Sequence, residues 1–141
     1  MTNYNIEILE AIRAADEALN YLDKAKKTLN SAQGWGIVDL LGGKKVITFF
    51  KQRKIHKAEM DMARAKVAIE RLNKEVSDVE NIIDIDFNMG VVLKLADFFF
   101  GGAIADWIVL GRIGEAKLKI STATTQILEI KAELERLFRE Y

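Results

Sequence analysis

The chain has 141 residues, of which half are hydrophobic and 30% are charged, and its 21 Lys and Arg are balanced by 21 Asp and Glu. These values are typical of a single globular domain, residues 1–141, and exclude an overall charge that would attract nucleic acid or an anionic membrane. The sequence contains no Cys, which excludes disulfides and thiolate metal sites, and no Pro, which allows long helices.

The first predicted element is a helix over about residues 4–32. Apolar residues recur there mainly at steps of three and four, the spacing of one helix face. Lys26 interrupts this stripe, and its aliphatic stem can lie along an apolar surface. Glu7 and Glu10 stand where a secretory signal would be apolar or basic, so we expect a cytoplasmic protein. The stripe consists of Ile8, Ile12, Ala15, Leu19, Leu22 and Leu29.

Two further long helices are predicted, over about residues 44–84 and 102–140. Each carries an apolar stripe that alternates steps of three and four for about four heptads, as in a coiled coil. Shifting the sequence by 58 positions superimposes one stripe on the other without a gap, which indicates an internal pseudo-repeat. The first stripe is Ile55, Ala58, Met62, Ala65, Ile69, Leu72, Val76, Val79 and Ile83; the second is Ile113, Ala116, Ile120, Ala123, Ile127, Ile130, Leu134, Leu137 and Tyr141.

Two apolar connectors separate the long helices, at residues 31–45 and 84–102. Each ends in Gly-Gly, which can turn the chain sharply, so we predict a short helix before each glycine pair. The large apolar residues around these connectors exceed what one narrow contact face can cover, which makes them a candidate interaction surface. That surface comprises Trp35, Phe49, Phe50, Phe98, Phe99, Phe100, Trp107 and Ile108.

The fold predicted from these elements is an all-α bundle of three long antiparallel helices with coiled-coil-like packing. The link after Ile83 is too short to run back along a helix of more than about 40 Å. We therefore expect the second and third long helices to be antiparallel, with their starts at opposite ends of the bundle.

The order of motifs resembles an uncharacterised family of short bacterial α-helical proteins. The matching features are Gly34-Trp35-Gly36 and then Asp39-Leu40-Leu41-Gly42-Gly43, which precede a long heptad helix. No activity is known for that family, so the resemblance implies an all-helical fold and no reaction.

Several residues have the chemistry of a functional site, but structural roles explain them better. Asp39, Asp97 and Asp106 could form a carboxylate set, but Asp before a turn more often bonds to local backbone. Residues 84–90, DIDFNMG, begin like a calcium loop, but Met89 replaces the required Gly, so helix capping by Asp86 or Asn88 is the better explanation.

His56 is the single His and has no neighbouring ligand, so we expect an exposed side chain. These considerations predict no metal, no cofactor and no enzymatic activity. Residues 44–57 contain six basic residues and no acid, but the only aromatics there are Phe49 and Phe50, which we assign to the connector surface, so nucleic acid is not the expected partner.

The function predicted from sequence is that of a structural or interaction protein that forms a homo-oligomer, such as a dimer, or binds a helical partner. The alternative is a peripheral membrane protein whose apolar residues 98–110 dip into lipid. The apolar connectors therefore pack internally, in a dimer or on lipid, and the sequence leaves these possibilities open.

Overall fold

A computed structural model describes residues 3–32, 44–98 and 112–140, and for residues 3, 31–32, 44–52, 54–55 and 98 it describes the backbone alone. Every secondary-structure element in these ranges is an α-helix, and the all-α prediction is confirmed. The helices are α1 (Asn3–Ala32), α2 (Lys44–Ile82), α3 (Gly90–Phe98) and α4 (Ile113–Glu140).

The helix boundaries agree with the sequence predictions except at the third long helix. α1 and α2 lie close to their predicted spans, and α3 is the short helix expected in the second connector. The start predicted at residue 102 is wrong, because α4 begins at Ile113 and Arg112 before it is not helical. Gly111 and Gly114 flank this break in the sequence, and glycine weakens a helix. The short helix predicted in the first connector lies outside the described residues.

The core follows the predicted stripes closely. Of the stripe residues on α2, those from Ala58 to Val79 are buried, and so are those on α4 from Ile113 to Leu137. Ile69 and Ile127 are both fully buried. Burying an Ile or Leu side chain stabilises a fold by about 1.5–3 kcal/mol, so the stripes account for much of the cohesion between the helices.

α1 buries a broader face than its predicted stripe. Ile8, Leu22 and Leu29 are fully buried as expected, whereas Ile12 and Leu19 are only partly buried. Alanines fill the centre of the buried face instead, and small side chains allow helix axes to approach closely. These alanines are Ala11, Ala14, Ala15, Ala18 and Ala25.

The four helices pack as a ring in chain order. α1 packs along α2 and along α4, and the short α3 packs against α2 and α4 in turn. α2 and α4 approach each other less closely than either approaches α1. α1 is thus the helix that holds the two other long helices together.

Polar contacts show the direction of α1 relative to α2. The Thr28 hydroxyl lies 3.0 Å from Asp61 Oδ2, and Arg71 Nη1 lies 3.5 Å from Glu17 Oε2. A residue later in α1 therefore faces one earlier in α2, so these two helices are antiparallel.

α1 and α4 are also antiparallel. Lys26 Nζ donates to Ser121 Oγ at 2.9 Å, and Lys131 Nζ lies 2.6 Å from Asp16 Oδ1. Since α2 and α4 are each antiparallel to α1, they run in the same direction. The prediction that these two helices are antiparallel, with their starts at opposite ends, is wrong.

The path between α2 and α4 explains this error. Residues 85–88 lie beside Gln126, Glu129, Ile130 and Glu133 in the second half of α4, whereas Arg112 directly precedes that helix. The chain therefore returns along the bundle between residues 88 and 112. This link is long enough to do so because α4 starts at Ile113. None of the helices in the described ranges is long and apolar enough to cross a membrane.

Candidate interaction surface

The eight residues predicted as an interaction surface have no described side chains. Phe49 and Phe50 belong to α2 and Phe98 ends α3, where the backbone alone is described. The others, Trp35, Phe99, Phe100, Trp107 and Ile108, lie outside the described residues.

The candidate polar residues are placed only in part. Asp39 and Asp106 lie outside the described residues, while Asp97 is an exposed residue of α3. His56 is exposed on α2, as predicted. Asp86 does not cap a helix directly, because its Oδ1 accepts a hydrogen bond from the N–H of Asn88 at 2.8 Å, before α3 begins at Gly90.

An apolar groove opens to solvent between α1 and α2. Met60 and Val67 are 40% and 64% exposed there, although both are large apolar side chains. Tyr21 and the aliphatic part of Glu17 form the α1 side of the groove, and Arg64 lines it from α2. A protein normally buries such side chains, so an open apolar groove is a candidate binding surface.

The groove was not predicted from sequence, although a signal existed. Met60, Ala63 and Val67 are spaced by three and four residues, which forms a second, shorter apolar stripe on the outer face of α2. The longer stripe of α2, which forms part of the core, dominates the pattern of this helix. The second stripe is the signal in the sequence that indicates the groove.

A pocket lined with cations lies next to the groove. Lys24 and Lys27 from α1 and Lys57 and Arg64 from α2 surround Asp61, which is only 4% exposed. Burying a carboxylate is costly unless charges and hydrogen bonds compensate for it. The hydroxyl of Thr28 donates a hydrogen bond to Asp61, and the four cations line the same pocket as this carboxylate.

Three carboxylates meet near the other end of α1. Oxygens of Glu7 and Glu10 on α1 and of Glu75 on α2 all lie within 4.8 Å of one another. Burial raises the pKa of Glu75, and the nearby charges of Glu10, Asp78 and Glu7 raise it further, against a smaller opposite effect of Arg71. Acidic groups often cluster without binding an ion, so the arrangement alone does not define a metal site.

No protein-family model, no curated protein and no solved structure matches this chain. The class of protein is therefore defined by the fold and its surfaces: an all-helical bundle with an apolar groove on one side.

Proposed function

We propose that this protein is a non-enzymatic structural or interaction protein that associates with other copies of itself or with a helical partner. The observation that carries the proposal is the apolar groove between α1 and α2. The core stripes of both helices are already covered by the bundle, so Met60 and Val67 remain for contact with another molecule.

A helix is the occupant that suits the groove best. An amphipathic helix places apolar side chains at steps of three and four, and it can lay that face into a hydrophobic groove. Met60, Ala63 and Val67 present the same spacing. A second copy would bring an identical ridge, and symmetric dimers are the commonest soluble oligomers.

The coiled-coil character and the 58-residue repeat belong to the same proposal. Shifting Asp61 and Arg71 by 58 positions gives residues 119 and 129, which lie two residues before Ser121 and Lys131, and the partners of each pair on α1 lie within two residues of each other. Stripe residues at equivalent positions of α2 and α4 are buried in both helices. These relations support a duplicated helix that packs twice on α1.

Light scattering of purified protein tests the proposal. We expect a mass near twice 15.9 kDa at high protein concentration, and we expect Val67→Glu to shift the protein towards the monomer. Leu118→Glu is the matched control, because Leu118 is 71% exposed on α4 and does not line the groove.

Two outcomes would contradict the proposal. A protein that stays monomeric at every concentration and binds no amphipathic helical peptide would have no use for the groove. Equal effects of Val67→Glu and Leu118→Glu would place the contact elsewhere.

The runner-up function is that of a peripheral membrane protein. It rests on the apolar residues 98–110, whose side chains lie outside the described residues. We expect a cytoplasmic location for either function, on the basis of the sequence without Cys.

A further inference from the structure

The cation pocket, the apolar groove and the three carboxylates lie in one row along a single side of α1 and α2. On α1, Lys24 lines the pocket, Glu17 lines the groove and Glu10 is one of the three carboxylates. These residues are seven positions apart, and residues at that spacing lie on nearly the same side of a helix. The row therefore runs from the pocket, near the end of α1, to the carboxylates near its start.

α2 contributes the other half of the row. Lys57 and Arg64, also seven positions apart, line the pocket, and Arg64 lines the groove as well. Arg71, seven positions further on, pairs with Glu17 at 3.5 Å, and its charge acts on the Glu75 carboxylate. We call this row the α1–α2 face, and the side chains that we assign to it all belong to described residues.

The pocket end of the α1–α2 face is positive. Four cations line the pocket around one carboxylate, that of the buried Asp61. One of the four, Lys27, pairs with Asp23 at 3.0 Å. The other three are exposed, so this end of the face has an excess of positive charge.

The opposite end of the face is negative. Asp78 adds a fourth acidic charge near Glu75, and the opposing effect of Arg71 is smaller than those of the neighbouring acids. Glu7 Oε2 and Glu75 Oε2 are shielded from water and accept no hydrogen bond from the described residues. This end therefore has an excess of negative charge that a cation from another molecule would reduce.

The apolar groove separates the two charged ends, and this order makes the face complementary to itself. Two copies that join through it are related by a two-fold axis that runs either along the helices or across them. With the axis along the helices, cations face cations. With the axis across them, the pocket of each copy faces the carboxylates of the other. Lys57 and Glu75 are 18 residues apart on α2, about 27 Å, so two charged contacts flank an apolar one.

We propose that the groove is occupied by a second, antiparallel copy of the chain, with the cation pocket of each copy against the three carboxylates of the other. This inference rests on the proposed function and specifies its partner. A foreign helix would have to supply both charges at the required spacing, whereas a second copy already carries them. The apolar groove accepts either direction, and the two charged contacts select one, because like charges that face each other are costly.

Charge reversal with complementation tests this arrangement. One variant reverses the pocket, by Lys24→Glu with Lys57→Glu, and another reverses the carboxylates, by Glu10→Lys with Glu75→Lys. In either variant alone, like charges meet at both contacts, and we expect the dimer dissociation constant to rise on the order of tenfold or more in sedimentation equilibrium. Mixing the two variants restores opposite charges at both contacts, so we expect a mixed dimer about as tight as that of the unmodified chain.

A matched control reverses two cations outside the α1–α2 face. Lys94→Glu with Arg139→Glu makes the same change in net charge, at exposed residues of α3 and α4. We expect its dissociation constant to stay within about twofold of that of the unmodified chain, because salt screens distant charges. Dimerisation of the unmodified chain should weaken as salt is raised, and this measurement needs no variant.

The outcomes separate this inference from the proposed function. If the unmodified chain forms a dimer that Val67→Glu disrupts, but the charge variants dimerise as tightly or their mixture does not recover, the charged contacts are overturned and the groove remains the interface. A monomer that binds an amphipathic helical peptide would overturn the second copy as occupant. A monomer that binds no such peptide would overturn both proposals. Where circular dichroism shows that a variant has lost helix content, a dimer that salt leaves unchanged or strengthens overturns the inference.

Discussion

At the scale of single residues, the buried Ile of each stripe provide the most direct test of the core. Ile69 and Ile127 are fully buried and are separated by the 58 residues of the proposed repeat. We expect Ile69→Ala and Ile127→Ala each to lower the free energy of unfolding by about 2–5 kcal/mol, since each leaves a cavity. Urea unfolding followed by circular dichroism measures both.

Exposed apolar residues of α4 outside the groove are the controls for this pair. Leu118→Ala and Leu128→Ala should change the free energy of unfolding by less than about 0.5 kcal/mol, because these side chains are largely in water. If the Ile variants lowered the free energy of unfolding as little as these controls do, the burial of the stripes would be contradicted.

Asp61 is expected to stabilise the bundle despite its burial. Its Oδ2 lies 3.0 Å from the Thr28 hydroxyl, which also lies 3.0 Å from the carbonyl oxygen of Lys24. Asp61→Ala should lower the free energy of unfolding by about 1–3 kcal/mol, because the cations around it lose their counter-charge. Thr28→Val should cost about 1 kcal/mol or less, since it removes one hydrogen bond. An Asp61→Ala variant as stable as the parent in thermal unfolding would show that the carboxylate has no such role.

Glu75 should make stability depend on pH in the opposite sense to most acidic residues. Its pKa is raised in the folded state above the ordinary value of 4.5, so folding takes up a proton between the two values. The contribution of Glu75 to stability is therefore fully present below pH 4.5 and is lost as pH rises through the folded pKa. At neutral pH the charged carboxylate destabilises the fold.

Glu75→Gln should consequently raise the free energy of unfolding at pH 7, by less than about 1 kcal/mol because water screens partly exposed charges. The gain should disappear below pH 4.5. Thermal unfolding at a series of pH values measures the difference, and Glu70→Gln, at an exposed position paired with Lys66, should give no gain. A constant gain at all pH values would contradict the assignment to charge.

Residue-scale prediction from sequence succeeded for large side chains and failed for small ones. The spacing of Ile, Leu, Val and Met identified the buried face of α2 and α4. On α1 it selected Ile12 and Leu19, which are partly exposed, and missed Ala11, Ala14 and Ala18. Alanine carries little hydrophobic signal, and its burial is decided by how closely the neighbouring helix approaches.

At the scale of elements, the start of α3 depends on a left-handed residue. Asn88 has φ 57°, and its N–H donates to Asp86 Oδ1, while the N–H of Phe87 donates to Glu80 Oε2 at 2.9 Å. Asn88→Ala should lower the free energy of unfolding by about 1 kcal/mol, because this conformation places Cβ close to the backbone. Asn88→Gly should be nearly neutral. Urea unfolding measures the stability of both variants. Equal stability of Asn88→Ala and Asn88→Gly would contradict backbone strain at residue 88.

The sequence predicted helix ends well where an apolar stripe begins or stops, and poorly where the break is local. α2 ends near Ile83, the last residue of its stripe. The start of α4 was placed too early, because apolar residues continue before Ile113 and conceal the break at Arg112. Periodicity locates a helical face, whereas a single non-helical residue leaves the pattern almost unchanged.

At the scale of the whole molecule, the relative directions of the helices were beyond the sequence prediction. A heptad stripe is the same in parallel and antiparallel neighbours, so the direction had to be inferred from the length of the link. The predicted link was too short, because the third long helix was predicted to begin at residue 102 and α4 begins at Ile113.

The distance between spin labels tests this orientation most directly, and the chain has no native Cys that would be labelled in addition. Labels at residues 57, 115 and 139 can replace three exposed side chains, Lys57, Glu115 and Arg139. With α2 and α4 parallel, residues 57 and 115 lie at the same end, about 15–25 Å apart, and residues 57 and 139 lie about 40 Å apart. A shorter distance from residue 57 to residue 139 than to residue 115 would contradict the parallel arrangement.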